Sequence, residues 1–245
     1  MKICAVQLRL FAGDISTNLL KHIRCVEMAA ANGADLIYFS ELSLTSYEPS
    51  LAKTLAMTSV DTRLAMFQQL SDAHNLTIGV GLPLKRDDDV QIGMLWYAPK
   101  VSRRVYAKQH LHSSERAYFV SGINQLVITT NDHSIAPAIC YESLQSSHAD
   151  NAAKLGADIY LASVAKSANV LDKAMPHYPL VAPQHNMFVM MANSVGVCDN
   201  WKSVGQSAAW GRDGALLAQM DSESEGWVML DTLTSKASIH LLEME

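Results

Sequence analysis

The chain has 245 residues, of which 49% are hydrophobic and 18% charged, with a formal net charge of −5; this balance supports a sizeable core and excludes a disordered chain. Neither a basic stripe nor a basic cluster is present, which excludes a nucleic-acid partner that must be bound by neutralising phosphates. The apolar opening MKICAVQLRL is interrupted by Gln7 and Arg9, and no window reaches spanning length, so a cytoplasmic protein with no membrane segment is expected.

The first unit reads as strand, helix, strand. ICAVQL and DLIYF are short, apolar and β-rich, and between them Leu19, Leu20, Ile23, Val26 and Ala30 recur at helical spacing from about Ser16 to Asn32. Asp61 can cap a second helix running to about His74, with Leu64, Phe67, Leu70 and Ala73 on one face. LTIGVGL follows as a strand, and the charge run Lys85 to Asp89 reads as a solvated loop. MLWYAP and RRVYAKQHL flank Pro99 to Ser102 and predict a hairpin whose second strand delivers Lys108. QLVITT and SIAPAIC are two further strands, the latter running into a helix from about Ser143 to Leu155. Then come strand DIYLASV, one helix ending near Asn186, strand FVMMANSVG, and the closing pieces SAAWG, GALLAQM and GWVMLDT.

Gly33-Ala34-Asp35-Leu36-Ile37-Tyr38 is echoed by Gly156-Ala157-Asp158-Ile159-Tyr160, each time between a predicted helix and a strand. The echo is either a coincidence of two helix-end turns or the mark of two similar layers, each a sheet covered by helices. No Pro-, Gly- or Ser-rich linker divides them, so residues 1–245 are expected to form one domain. The four cysteines, Cys4, Cys25, Cys140 and Cys198, are scattered and fit reduced thiols. His110 and His112 stand two apart, where a strand would point both to one face, but nothing completes a metal-ligand set; no metal and no cofactor is expected.

Three strand ends carry reactive groups. Cys140 closes an apolar run before a predicted helix, a turn that exposes a nucleophile and favours its thiolate; the bland reading is a buried core cysteine. Glu41 follows LIYFS into a loop, where it could equally be a cap or a surface ion pair. Lys108 near the end of VYAKQHL could be a solvated lysine, and Glu115 a helix-start residue. Tyr47, Tyr118, Phe119, Lys166 and Trp201 are candidate pocket residues by their proximity to these motifs, and each fits packing equally well.

In order, these segments resemble the nitrilase superfamily of carbon–nitrogen hydrolases over nearly the whole chain. FSELSLTSY is similar to its FPEL-x-L-x-GY segment, YAKQHL and ERAYFVSG to its lysine and second-glutamate segments, and ICYES to its cysteine segment. ANSVG and GQSAAWGRDG match its later stretches, and AVQL its first strand.

The resemblance implies an α/β fold of αββα type that pairs into homodimers. It also implies hydrolysis of a small amide through a cysteine thioester, with no cofactor. Cys140 would attack, Glu41 would act as base and then acid, and Lys108 with the Tyr141 backbone N–H would hold the oxyanion, Glu115 orienting lysine or substrate. Lys166, after DIYLASVA, would overlook Cys140 and favour an amide bearing a carboxylate.

Nitrile hydrolysis, carbamoyl-amide cleavage and N-acyl transfer remain open within the superfamily. Outside it stand a non-catalytic interaction module and a cysteine–histidine hydrolase using His110, His112 or His148. The sequence departs from the family at Ser40, where proline is usual, at Thr45-Ser46-Tyr47, which lacks the glycine before the tyrosine, and at Ala182 to Asn186, which replaces R-A-x-E-N.

Overall fold

The computed structural model describes residues 1–242; the last three positions of the expected 1–245 domain lie outside the described residues. Strands β1 (Lys2–Gln7) and β2 (Leu36–Tyr38) flank α1 (Ile15–Ala31), whose first turn is capped by Asp14 accepting from Thr17 N. A short α2 (Ala52–Leu55) and α3 (Ala65–His74) precede the long hairpin β3 (Thr77–Arg86) and β4 (Asp89–Tyr97), followed by β5 (Arg104–Ala107). The second half runs β6 (Ile128–Thr130), β7 (His133–Ile139), α4 (Ser146–Lys154), β8 (Ile159–Val164), α5 (Ala168–Ala174), α6 (Tyr178–His185) and β9 (Phe188–Asn193). It closes with β10 (Val195–Cys198), β11 (Trp201–Val204), β12 (Ala208–Trp210), β13 (Leu216–Gln219), β14 (Gly226–Asp231) and β15 (Lys236–Leu241).

Two mixed sheets result, one ordered β15-β14-β1-β2-β3-β4-β5 and the other β13-β12-β9-β8-β7-β6. Strand alternation sends Ile3 and Ala5 inward to a core shared by both sheets with Ile135, Leu161 and Met190, while Cys4 and Val6 point outward against Cys25, Val26 and Ala29 of α1. Ala149 and Ala152 of α4 and Val181 and Ala182 of α6 cover the outer face of the second sheet in the same way. The layering is αββα.

The echoed Gly-Ala-Asp turns are equivalent joints of the two layers. Gly33 and Gly156 both take the left-handed conformation, at φ +75° and +85°. Asp35 accepts from Lys2 N at 2.7 Å, and Asp158 from Ser134 N at 2.8 Å, so each carboxylate ties the incoming turn to the neighbouring parallel strand, β1 or β7. In both sheets three parallel strands, β1-β2-β3 and β7-β8-β9, carry antiparallel neighbours on either side.

Several expectations change. The single helix before Asn186 is two, α5 and α6, because Pro176 and Pro179 forbid a continuous ladder between them. FVMMANSVG is divided at Ser194, since β10 leaves the β9 sheet to pair with β11. Cys198 therefore sits buried in the β10–β11 hairpin. The run Lys85 to Asp89 is the exposed tip of the β3–β4 hairpin, and β15 is an unanticipated edge strand.

Candidate active site

Glu41 lies three residues beyond β2 in a loop seated on β3. Leu44 N donates to Gly81 O at 3.0 Å, and a Cβ on Gly81 would fall 2.7 Å from Ser40 O, so only glycine lets the loop come this close. Ser46 stands where the family carries glycine, and it takes the conformation a glycine would, φ +62°. His22 of α1 braces the same loop: Nδ1 bonds Asn18 O at 2.7 Å, Nε2 meets Ser43 Oγ at 2.9 Å, and the ring lies 4.0 Å from that of Phe39.

Lys108 stands one residue past β5, where its N–H donates to Ile92 O and its carbonyl accepts from Gly122 N at 2.7 Å. Its ammonium is fully buried and bridges two carboxylates, 2.7 Å from Glu41 Oε1 and 2.7 Å from Glu115 Oε1. Glu115 contacts both the lysine and the start of its own turn. Its Oε2 accepts from His112 N at 2.8 Å, capping a 3-10 turn over Ser113–Ala117, while Oε1 also accepts from Tyr47 OH at 3.0 Å. The second Glu41 oxygen, Oε2, is buried with no hydrogen-bond partner among the described residues. Burial raises the Glu41 carboxyl against the opposing pull of Lys108, making that free oxygen a competent proton acceptor.

Cys140 opens a 3-10 turn at the end of β7 with φ +49°, a conformation costly for a side chain with a Cβ. Glu142 holds it there: Oε1 accepts from Ile139 N at 2.7 Å and Tyr106 OH at 2.6 Å, and Oε2 from Gln109 N at 2.7 Å. One buried carboxylate thereby clamps the cysteine turn to the segment after Lys108. Burial pushes its pKa up to about 7. The sulfur lies 3.7 Å from Ala165 O and 3.5 Å from Lys166 Nζ. The expected thiolate preference does not hold, because burial and the Glu41 charge raise the Cys140 thiol, Lys166 and Lys108 opposing them, and α4 begins only at Ser146. A neutral thiol beside a raised carboxylate deprotonates as it attacks.

A cleft of about 780 Å³ opens over the sulfur, lined by Tyr47, Glu115, Tyr118, Cys140, Lys166 and Trp201 among others, a size suited to a small molecule. Tyr141 borders it too, its ring edge-on to His112 at 5.4 Å. Phe119, a candidate for the pocket or for packing, is packed in the core between the sheets. His110 and His112 diverge, the first ring facing His148 and the second facing the cleft at Tyr141. Among the described residues no group of three or more His, Cys, Asp or Glu is placed to hold a metal ion, and no helix is long and apolar enough to cross a membrane. The reading of the sequence missed Glu142 and Asn193. The latter fixes Lys166 through its Oδ1 to Lys166 N at 2.9 Å and its Nδ2 to Lys166 O at 3.3 Å. Both stood inside quoted motifs, ICYES and ANSVG, but only burial and pairing reveal what they hold.

The chain belongs to the carbon–nitrogen hydrolase family, which it matches over residues 2–241. No curated protein sequence matches it significantly. Among solved structures it is similar to the amidase NitN from Nesterenkonia sp. AN1, with 21% identity, 94% of this chain and 92% of that one covered, and a TM-score of 0.87. A variant of that amidase carrying the product of Michael addition of acrylamide at its active-site cysteine matches with the same identity, coverage and score. An alanine variant in complex with butyramide matches at 20% identity, covering 96% of this chain and 92% of that one, also with a TM-score of 0.87.

Proposed function

We propose that this carbon–nitrogen hydrolase is an amidase that releases ammonia or a small amine from a small amide through a thioester on Cys140. The observation that carries the reading is the buried Lys108 ammonium bridging Glu41 and Glu115 beside a cysteine held at positive φ. Glu41 Oε2 takes the thiol proton as sulfur attacks the carbonyl, and returns it to the nitrogen as the C–N bond breaks. Water then enters, gives its proton to the same carboxylate as it attacks the thioester carbonyl, and collapse breaks the C–S bond, the sulfur taking the proton back from Glu41 as the acid leaves. Lys108 and the Tyr141 backbone N–H, at the start of a turn whose first N–H groups lack intrahelical acceptors, hold the oxyanion of both steps. Glu115 fixes Lys108, while Tyr47, Tyr141 and Lys166 border the substrate.

The amides named with the Nesterenkonia structures, acrylamide and butyramide, support short uncharged amides as the first substrates to try. A panel of amides, nitriles and carbamoyl amides assayed for ammonia tests the reading. Turnover of short amides that vanishes in Cys140→Ala is expected; turnover of nitriles alone would move the protein to the nitrilase branch, and none at all would favour an interaction module.

Residues 1–245 form one hydrolase domain, which acts as a homodimer in the cytoplasm. Four free cysteines support a reducing compartment, and Leu180 on α6, 65% exposed, supports an apolar contact between copies. Sedimentation at micromolar concentration should give twice the chain mass.

A further inference from the structure

Lys166 is only 1% exposed, yet among the described residues no carboxylate pairs with it, and the hydrogen-bond partner of its ammonium is the Cys140 sulfur at 3.5 Å. Burying an ammonium without an anion is costly, so such a group is retained where an anion forms. It is also rigidly presented. Asn193 grips its backbone from both sides, Ser203 Oγ donates to its carbonyl at 3.2 Å, and β8 ends just before it.

The charges around the sulfur say which anion. Glu41 and Glu115 contribute two negative charges and Lys108 one positive, leaving an excess negative charge before any reaction begins. Proton transfer to Glu41 neutralises that carboxylate and moves its charge onto the sulfur, and attack moves the charge on to the carbonyl oxygen, so the total stays fixed while its location shifts. Lys166 brings the resting cluster to neutrality, and its position against sulfur puts that compensation at the atom that changes charge. Tyr47, Tyr178, Glu142 and His177 also face this cluster: burial keeps both phenols protonated, pushes Glu142 up to about 7 and disfavours a charged His177.

Resting on the amidase reading above, we propose that Lys166 is a second catalytic lysine, whose ammonium stabilises the Cys140 sulfur while its proton passes to Glu41. The S–H bond breaks toward Glu41 Oε2, the sulfur pair forms the C–S bond, and the carbonyl π pair moves onto oxygen. Collapse of that oxyanion breaks the C–N bond, and the nitrogen leaves with the proton from Glu41. Lys166 keeps its own proton throughout. A substrate carboxylate, the role suggested for Lys166 by its place in the sequence, would compete for the same ammonium and restore the charge excess.

The test is the pH profile of Cys140 modification by methyl methanethiosulfonate, read by mass spectrometry at that cysteine, because it needs no amide turnover. An opposite charge within hydrogen-bond reach shifts a thiol by at least about one pH unit, so Lys166→Met should move the profile upward and slow modification at neutral pH by ~10-fold or more. Lys166→Arg should keep most of the wild-type rate. Lys166→Gln serves the same comparison should the methionine variant not fold. An unchanged profile in the folded variant would overturn the proposal, as would a loss confined to KM for carboxylate-bearing amides. A shifted profile in a protein that hydrolyses no amide would support Lys166 and sink the amidase reading instead.

Discussion

At the scale of single residues, the site works by giving each carboxylate two tasks. Glu41 spends Oε1 on Lys108 and keeps Oε2 unpaired, while Glu115 spends Oε2 on a turn and Oε1 on Lys108 and Tyr47. Glu115→Gln keeps the shape but removes the charge that shares Lys108, so the ammonium is drawn toward Glu41 and away from the developing oxyanion. We expect kcat to fall on the order of 10²-fold with a smaller change in KM, the signature of misplacement rather than lost binding. Steady-state kinetics with a short amide check this, and a fall confined to KM would assign Glu115 to the substrate. The other cysteines lack these partners: Cys4 and Cys25 pack in the apolar layer between α1 and the first sheet, and the Cys198 sulfur meets the Ser46 and Ser194 hydroxyls.

At the scale of elements, the reacting groups meet because strand ends are pinned by close backbone contacts. Gly122 ends the ERAYFVSG motif, and a Cβ there would lie 2.2 Å from Ala107 O, immediately before Lys108. Gly122→Ala must displace the segment that carries the lysine. The expected result is a destabilisation of ~1–3 kcal/mol accompanied by a loss of kcat well beyond it, measured by denaturant unfolding beside kinetics. Unchanged kcat would mean that the contact serves stability alone. The motif letter was legible in the sequence, but its reason was not, since the carbonyl it spares is 15 residues away in the chain. Ser46 shows the converse: the missing glycine was read as a departure, and the backbone kept the glycine conformation regardless. The division of α5 from α6 was also written in the sequence, at Pro176 and Pro179, but apolar density across Leu171 to Val181 masked it.

At the scale of the whole molecule, the two layers and their shared core were legible because alternation and helical spacing separate inner from outer faces, and the Gly-Ala-Asp echo marked equivalent joints. Strands β10, β11 and β15 were not, being short or edge segments whose exposed faces dilute any apolar period. The buried polar residues were invisible for a different reason: His22 and Glu142 gain their bracing roles from partners distant in the chain, Ser43 for the one and Tyr106 and Gln109 for the other. His22 also ties the fold to pH. Burial lowers its pKa from 6.5 to about 4, so between those values the unfolded chain binds a proton the native one refuses, and stability drops as pH falls. His22→Gln should remove up to about 1.4 kcal/mol per pH unit of that slope, checked by urea unfolding across the range; an identical slope would show that the native histidine is already charged. The central claim, that Cys140 carries the acyl group and Glu41 moves the proton, is tested most directly by mass spectrometry of the protein quenched during turnover of a slow amide. An acyl adduct mapped to Cys140, absent from Cys140→Ala and strongly reduced in Glu41→Gln, is expected; an adduct on Cys198, or full turnover by Cys140→Ala, would contradict it.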